Sequence, residues 1–311
     1  MSARRDPLPQ FNGTPFLADG GLETWLVFHD GVELPAFAAF PLLASEDGRQ
    51  RLRRYFEPFL RLAAERRTGF VLDTPTWRAN PDWGRQLGWD ADRLSAINRA
   101  AAAFAIELRE TSDRGTKVVI NGVIGPRGDG YRVEVTMTAE EARAYHAPQV
   151  EALRDGGAEM VSALTMTYAE EAIGVARAAD AAGLPCVVSF TVETDGKLPS
   201  GQTLRAAIEQ LEQETDGAPA YYMINCAHPT HFADAIADPG PWLDRIGGVR
   251  ANASRQSHAE LDAATALDSG DPEELARQYR FLRVQLPRLA VLGGCCGTDL
   301  RHVRAICEAC L

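Results

Sequence analysis

The chain has 311 residues, of which 45% are hydrophobic and 24% are charged, a composition that excludes wholesale disorder, collagen and coiled coils. The net charge is −11, so binding to a nucleic-acid backbone is not expected. No apolar run reaches the ~18 residues of a membrane span, and the first ten residues lack the apolar centre of a signal peptide. These features predict a cytoplasmic protein without a membrane partner.

Eight short apolar runs, most of them closed by Gly, Pro or Asn, are typical of buried parallel strands. The predicted strands are Pro15–Asp19, Phe70–Asp73, Lys117–Val123, Glu159–Ala163, Pro185–Phe190, Ala220–Asn225, Arg245–Val249 and Leu289–Leu292. A longer amphipathic segment follows each run, which indicates a chain built from repeated strand–helix units.

The amphipathic segments predict eight helices. They are Ser45–Arg67, Ala91–Thr111, Ala139–Asp155, Tyr168–Ala182, Thr203–Glu214, Thr230–Ala237, Pro272–Leu286 and Asp299–Glu308. Thr138 and Glu141 have the spacing of a capping box at the start of the third helix. The segment Asn252–Ser269 shows no such pattern and is predicted to be an irregular insertion.

Repeated strand–helix units imply parallel strands with right-handed crossovers. Eight units favour a closed barrel, with an open doubly wound sheet as the alternative. We therefore predict an α/β protein with a single (β/α)8 TIM-barrel domain over residues 1–311, in which residues 1–14 form an N-terminal extension. The active site of such a barrel lies at the C-terminal ends of its strands.

Three of the six cysteines lie at these predicted strand ends. Cys226 follows the sixth strand, and Cys295 and Cys296 follow the eighth, so we expect the three thiols to converge. Three thiolates form a soft tetrahedral site with one open position, for which zinc is the natural occupant. The alternative is that the cysteines are small buried hydrophobic residues.

The open position of such a site suits a substrate thiol. A free thiol has a pKa near ~8.5 and is mostly protonated at pH 7. A thiol that coordinates the metal loses its proton and becomes a nucleophile for an electrophilic carbon.

The chain resembles the homocysteine S-methyltransferase family from about residue 15 to residue 309. The matching motifs are Asp19-Gly20-Gly21-Leu22-Glu23-Thr24, Asn121-Gly122-Val123-Ile124-Gly125-Pro126, Ser189-Phe190-Thr191, Leu198-Pro199-Ser200-Gly201, Ile224-Asn225-Cys226 and Gly293-Gly294-Cys295-Cys296-Gly297-Thr298. The Asn-Cys and Gly-Gly-Cys-Cys-Gly motifs together are highly specific, whereas the Ser-Phe-Thr and Gly-Pro pieces are weak when taken alone.

The resemblance implies a (β/α)8 barrel with zinc on three cysteines and methyl transfer to a zinc-bound thiolate, most simply homocysteine giving methionine. The implied zinc ligands are Cys226, Cys295 and Cys296. Asp19 resembles the aspartate that helps to bind the homocysteine amino group, although it could also be a structural turn residue. Asn225 lies in the matching Asn-Cys motif, whereas Asn252 lies at the end of the seventh strand, where the chain departs from the family's Pro-Asn-Ser-Gly-like turn and fits it only loosely. Both are predicted to contact the substrate.

The sequence departs from the family pattern at the end of the fourth strand. Leu164 stands where the family has a glutamate that grips the substrate ammonium group. Loss of that charge-assisted hydrogen bond costs roughly 1.5–3 kcal/mol, unless Thr165 or Thr167 supplies a neutral acceptor. The natural acceptor could otherwise be a different thiol. Arg250, near the end of the seventh strand, could pair with a carboxylate or be a solvated charge.

The methyl donor is expected to be small and cationic, because the chain has no room for a cobalamin-binding or folate-binding module. S-methylmethionine, S-adenosylmethionine and betaine fit this description. Aromatic faces attract such cations. Trp25 and Trp77, which follow the first two strands, are therefore candidates for the donor site, with ordinary packing as the other interpretation.

The sequence leaves four alternatives open. Cys307 and Cys310 could join Cys295 and Cys296 in a four-cysteine zinc site, or His228 or His231 could be a ligand. The barrel could bind zinc or thiols without catalysis. The Cys295–Cys296 pair could also serve a thiol oxidoreductase.

Overall fold

The structure, a computed structural model, describes residues 8–311 and shows eight parallel strands closed into one barrel. The strands are β1 (Phe16–Leu17), β2 (Phe70–Asp73), β3 (Val118–Ile124), β4 (Met160–Met166), β5 (Cys186–Phe190), β6 (Pro219–Asn225), β7 (Ile246–Ala251) and β8 (Val291–Gly294). Each strand pairs with the next along the chain, and β8 pairs with β1. The predicted TIM barrel is confirmed, and the open sheet is excluded.

Eleven α-helices lie within the described residues. They are α1 (Leu22–Phe28), α2 (Glu46–Glu65), α3 (Pro81–Gln86), α4 (Ala91–Thr111), α5 (Ala139–Asp155), α6 (Ala169–Ala181), α7 (Leu204–Thr215), α8 (Pro229–Ile236), α9 (His258–Ala263), α10 (Pro272–Gln285) and α11 (Leu300–Cys310). None of these helices has the length and apolar character that crossing a membrane requires.

Apolar side chains fill the barrel on both faces of the sheet, as parallel strands require. One buried cluster contains Phe16, Val71, Val187 and Val291 from four barrel strands, and a larger cluster packs the strands against the helices. Phe11 packs against the smaller cluster with its ring 5.0 Å from that of Tyr221. The described part of the predicted N-terminal extension, residues 8–14, therefore includes a side chain that packs on the barrel. Residues 1–7 lie outside the described residues.

Strands β4 and β8 extend beyond their predicted ends. β4 continues to Met166 and β8 to Gly294, so that Leu164 and Gly293 are strand residues. Gly293 pairs with Arg250 of β7. Because glycine has a low strand propensity, the composition around Gly293 does not predict the extension of β8. The extension is evident only from its pairing with a neighbouring strand.

The prediction of an irregular insertion over Asn252–Ser269 is wrong for its middle part, which forms α9. Ser257 and Glu260 make a capping box at the start of this helix. A helix of six residues is too short for apolar periodicity to reveal it. The spacing of the two capping residues was the sequence feature that could have predicted the start of this helix.

Candidate active site

Three thiols meet at the C-terminal end of the barrel. The Sγ atom of Cys226 lies 3.2 Å from that of Cys295 and 3.6 Å from that of Cys296. All three sulfur atoms lie within 4.8 Å of one another. Within residues 8–311, no other group of His, Cys, Asp and Glu has an arrangement suited to a metal ion.

The backbone around the thiols is bent sharply at three points. Cys226 has a φ of +57°, and Gly297 has a φ of +79°. A Cβ atom on Gly294 would collide with the side chain of Thr298. A positive φ is unfavourable for a residue with a side chain and is found mainly where the surrounding structure enforces it. The fold therefore holds the Cys226 backbone in a conformation that free chains avoid.

The Cys226 carbonyl is the point at which this conformation is held. Its oxygen accepts a hydrogen bond from Asn252 Nδ2 at 3.0 Å. His258 Nε2 lies 2.7 Å from the same oxygen, and Thr191 Oγ1 lies 3.4 Å from it. Asn252, a predicted substrate contact, lies behind the thiols in this arrangement and is not among the residues that line the cavity.

Asn225 links the thiols to β4. Its Oδ1 accepts hydrogen bonds from the Thr165 amide at 2.9 Å and from Ser189 Oγ at 2.6 Å. Its Nδ2 donates to Thr165 Oγ1 at 2.8 Å and lies 3.9 Å from Cys295 Sγ. Thr165 itself has a φ of +63°, at a register shift between β4 and β5. The predicted contacts Asn225 and Thr165 both line the cavity.

The three thiols differ in acidity. Hydrogen bonds from Cys226 and Cys296, together with the nearby charge of Arg250, hold the pKa of Cys295 well below its usual value. Interaction with the Cys295 sulfur and burial raise the pKa values of the Cys226 and Cys296 thiols. The positive charge of Arg250 therefore favours the thiolate form of Cys295.

Tyr131 covers the thiols from the side of the cavity. Its hydroxyl lies 3.2 Å from Cys226 Sγ and 3.6 Å from Cys296 Sγ. Its ring is stacked on that of His258, with 4.0 Å between centroids and an interplanar angle of 11°. Neither residue belongs to a motif that points to the site, since Tyr131 lies in a glycine-containing loop and His258 in the segment predicted to be irregular.

Below the thiols, Arg250 bridges two buried carboxylates. Its guanidinium group pairs with Asp19 and Asp73, and its Nε donates to the Gly294 carbonyl at 3.2 Å. Burial raises the pKa of Asp19 to about 7, against the opposing charge of Arg250. Tyr55 donates a hydrogen bond of 3.0 Å to the second oxygen of Asp19. The predicted substrate contact Asp19 lines the cavity with both oxygens already partnered.

The cavity above the thiols has a volume of about 600 Å³. Its apolar wall includes Val27, Phe28, Phe37, Leu164 and Leu267. Its charged side chains are six acids and two arginines: Asp19, Glu23, Asp73, Asp129, Asp262, Asp268, Arg78 and Arg250. The wall thus combines a broad apolar surface with an excess of acids.

The two tryptophans proposed for donor binding are placed differently. Trp77 lines the cavity, and its Nε1 lies 3.4 Å from the Leu164 carbonyl oxygen. Trp25 packs on Tyr55, with 5.4 Å between ring centroids, and is not among the lining residues. Of these two tryptophans, only Trp77 is therefore positioned to contact a ligand in this cavity.

The remaining candidates lie away from the thiol cluster. His228 caps the start of α8 through Nδ1, and burial lowers its pKa to about 4. His231 Nε2 contacts the Arg255 carbonyl oxygen. Cys307 and Cys310 are buried on α11, outside the thiol group, so the four-cysteine alternative is not supported.

Comparison with known proteins gives a consistent family. A family model described as homocysteine S-methyltransferase matches residues 16–310. The homocysteine S-methyltransferase of Escherichia coli (strain K12) is 27% identical over 250 residues, which cover 75% of this chain and 77% of that protein.

Two crystal structures of the homocysteine methyltransferase MmuM from Escherichia coli have the same fold. The oxidized form matches with a TM-score of 0.77 and 20% identity, covering 97% of this chain and 99% of that one. The metallated form matches with a TM-score of 0.73 and 20% identity, covering 95% and 96%. Because the family model spans nearly the whole chain, this protein belongs to the homocysteine S-methyltransferase family of methyltransferase enzymes.

Proposed function

We propose that this enzyme transfers a methyl group from a small cationic donor to the sulfur of homocysteine, with zinc held by Cys226, Cys295 and Cys296. The observation that carries the proposal is the meeting of three thiols, from two strand ends, at the floor of one cavity.

The thiol geometry fits a zinc ion. Zn–S bonds of about 2.3 Å in a tetrahedron place the sulfur atoms about 3.8 Å apart. The separations of 3.2 and 3.6 Å from Cys226 need only a small expansion to reach that value. Three thiolate donors are also the ligand type that zinc accepts well. When bound, zinc would lower the pKa of a thiol that takes the fourth position.

The residues around the thiols prepare this site. The nearby charge of Arg250 favours the thiolate form of Cys295. Asn252 and His258 hold the Cys226 backbone in place. The Tyr131 hydroxyl lies within hydrogen-bond distance of two of the three thiols and so would be a neighbour of a thiol that binds there. Transfer then needs the donor carbon about 3–3.5 Å from the sulfur, in line with the breaking bond, which is a task of positioning.

The charge of the cavity supports a cationic donor. Six acids face two arginines on the lining, so the wall has an excess of negative charge when its acids are ionised. A low-dielectric wall concentrates the field of such charges and attracts cations. S-methylmethionine, S-adenosylmethionine and betaine all carry a cationic sulfonium or ammonium centre.

The decisive experiment combines metal analysis with a methyl-transfer assay. We expect about one zinc per chain in the wild type, much less in Cys226→Ala, and methionine formed from homocysteine with at least one of the three donors. The buried residue Cys310 provides the matched control, and Cys310→Ala should retain zinc and activity.

Other results would favour the alternatives. Zinc without methyl transfer to any thiol would indicate a binding protein, and transfer to another thiol only would indicate a different acceptor, as Leu164 first suggested. Thiol oxidation chemistry that is unchanged after chelation would indicate an oxidoreductase. A single functional domain and a cytoplasmic location stay predictions of the sequence.

A further inference from the structure

Two charged side chains of the cavity wall have no part in the chemistry described above. Arg78 follows β2, and Glu23 lies in the first turn of α1. Both line the cavity that contains the three thiols. Neither side chain forms an ion pair within 4.0 Å among residues 8–311, although each lies in the electrostatic field of the other.

Arg78 is a buried guanidinium group with no carboxylate within 4.0 Å among residues 8–311, although the charges of Asp129 and Glu23 act on it from farther away. The residue is 7% exposed, and its guanidinium carbon lies 4.1 Å from the centroid of the Trp77 ring and 3.9 Å from that of Trp83. Nη1 donates to the Gly128 carbonyl at 2.8 Å, whereas Nε has no partner. A buried polar group without a partner is costly. A guanidinium group that lies over aromatic rings can still bind a carboxylate through paired hydrogen bonds.

Glu23 is the corresponding uncommitted acid. The other acids on the cavity wall already have hydrogen-bond or ion-pair partners: Asp19, Asp73, Asp129, Asp262 and Asp268. The half-buried Glu23 makes no hydrogen bond to another residue within residues 8–311. A carboxylate in such a position lowers its free energy when a cation is placed beside it.

We propose that Arg78 and Glu23 bind the two charged ends of the amino-acid substrate, Arg78 its carboxylate and Glu23 its ammonium group. This zwitterion clamp rests on the proposed function and assigns to two residues of this chain the contacts that distinguish an amino acid from a simple thiol. It supplies the acidic contact that Leu164 cannot provide. Homocysteine as acceptor and S-methylmethionine as donor both carry this pair of charges.

Isothermal titration of the zinc-loaded, reduced enzyme tests the clamp with probes that lack one charge. Homocysteine is compared with 3-aminopropanethiol, which has no carboxylate, and with 4-mercaptobutanoate, which has no ammonium group. Loss of a charge-assisted hydrogen bond weakens binding about 10-fold to 100-fold. Arg78→Gln should weaken homocysteine by that factor and 3-aminopropanethiol by less than twofold. Glu23→Gln should show the same contrast between homocysteine and 4-mercaptobutanoate.

The arms of the experiment separate acceptor from donor. If the clamp holds the donor, both variants weaken S-methylmethionine and leave homocysteine unchanged. Arg78→Lys keeps the charge and should give an intermediate loss, which also guards against misfolding of the glutamine variant. Arg127→Gln removes a nearby arginine whose partner is Asp82, outside the cavity, and should change neither affinity.

Three results would overturn the clamp. The first is an equal loss of affinity, in the variants, for homocysteine and its truncated analogues. The second is no loss of affinity for either amino acid, and the third is no binding of either amino acid by the folded wild type. Selective binding without turnover would keep the clamp and reject the proposed methyl transfer. Methyl transfer without a selective loss of affinity would reject the clamp and keep the proposed methyl transfer.

Discussion

Arg250 sets the charge at the base of the cavity. Its position between Asp19 and Asp73 places one cation between two acids, in a residue that is only 6% exposed. Asn121 adds a hydrogen bond of 2.7 Å to Asp73. Of the two interpretations that the sequence left open for Arg250, the structure supports the carboxylate partner. The consequence is that Asp19 meets a substrate cation only in competition with Arg250.

We expect Arg250→Met to destabilise the protein by about 3–5 kcal/mol, because it leaves two buried carboxylates without a counter-charge. Urea denaturation measures the change. Arg109→Met is the matched control, since Arg109 pairs with Glu159 at the surface and such pairs contribute less than about 1 kcal/mol. Equal losses in the two variants would contradict the role of the buried triad.

Glu23 should make stability depend on pH. Burial raises its pKa from 4.5 to about 7 in the folded chain. The folded state therefore holds a proton that the unfolded state releases above pH 4.5, so this contribution is complete below that pH and is lost as the pH rises through 7. Glu23→Gln should remove this trend, with a difference between wild type and variant of at most about 3 kcal/mol. Urea titrations of the metal-free protein at pH 4.5 and pH 8 measure it, and parallel profiles would contradict it.

At the scale of elements, the segment between β7 and α10 forms part of the cavity wall and also supports the residues around the thiols. α9 places the His258 ring between Tyr131 and the Cys226 carbonyl, and Glu193 lies 3.0 Å from the other ring nitrogen. This helix brings no residue to the thiol cluster itself. Its contribution is to fix the orientation of groups that contact the cysteines.

His258→Ala should lower zinc affinity about 10-fold, the lower end of the effect expected when a group that orients a metal ligand is removed. Competition with a chromogenic chelator measures it. Ser257→Ala removes only the cap of the same helix, at a cost of about 1 kcal/mol in stability, and should leave zinc affinity within twofold. An equal loss of affinity in both variants would show that helix stability, rather than the ring, is responsible.

The elements that the sequence predicted best have strong local signals. The helix Ala91–Thr111 begins after the cap Asp90, and Ala139–Asp155 begins at the capping box of Thr138, so both were predicted with their observed bounds. β1 is limited to Phe16–Leu17 although Pro15–Asp19 reads as strand. Strand ends depend on pairing with neighbours far along the chain, which local composition does not record.

At the scale of the whole molecule, barrel topology explains why the thiol cluster was predictable and its surroundings were not. Parallel strand ends meet at one rim, so Cys226 and Cys295 had to approach each other once eight units were counted. The pairing of Arg250 with Asp19 and Asp73, and the lack of such a partner for Arg78 among residues 8–311, follow from the directions of the side chains inside the barrel. A charge in a sequence does not reveal whether its counter-charge is another residue, solvent or a ligand.

Because the thiols come from the loops after β6 and β8, a bound metal would join parts of the barrel that are distant in the sequence. Ligand binding to the folded state alone adds about 2.7 kcal/mol at a free zinc concentration of 100 times Kd. For a chain of this size that corresponds to a rise in Tm of about 4–5 °C. Scanning calorimetry of reduced protein with zinc and with chelator should show this difference in the wild type and in Cys310→Ala but not in Cys226→Ala. A full shift retained in Cys226→Ala would place the stabilising metal outside the thiol cluster, and the proposed mechanism would lose its basis.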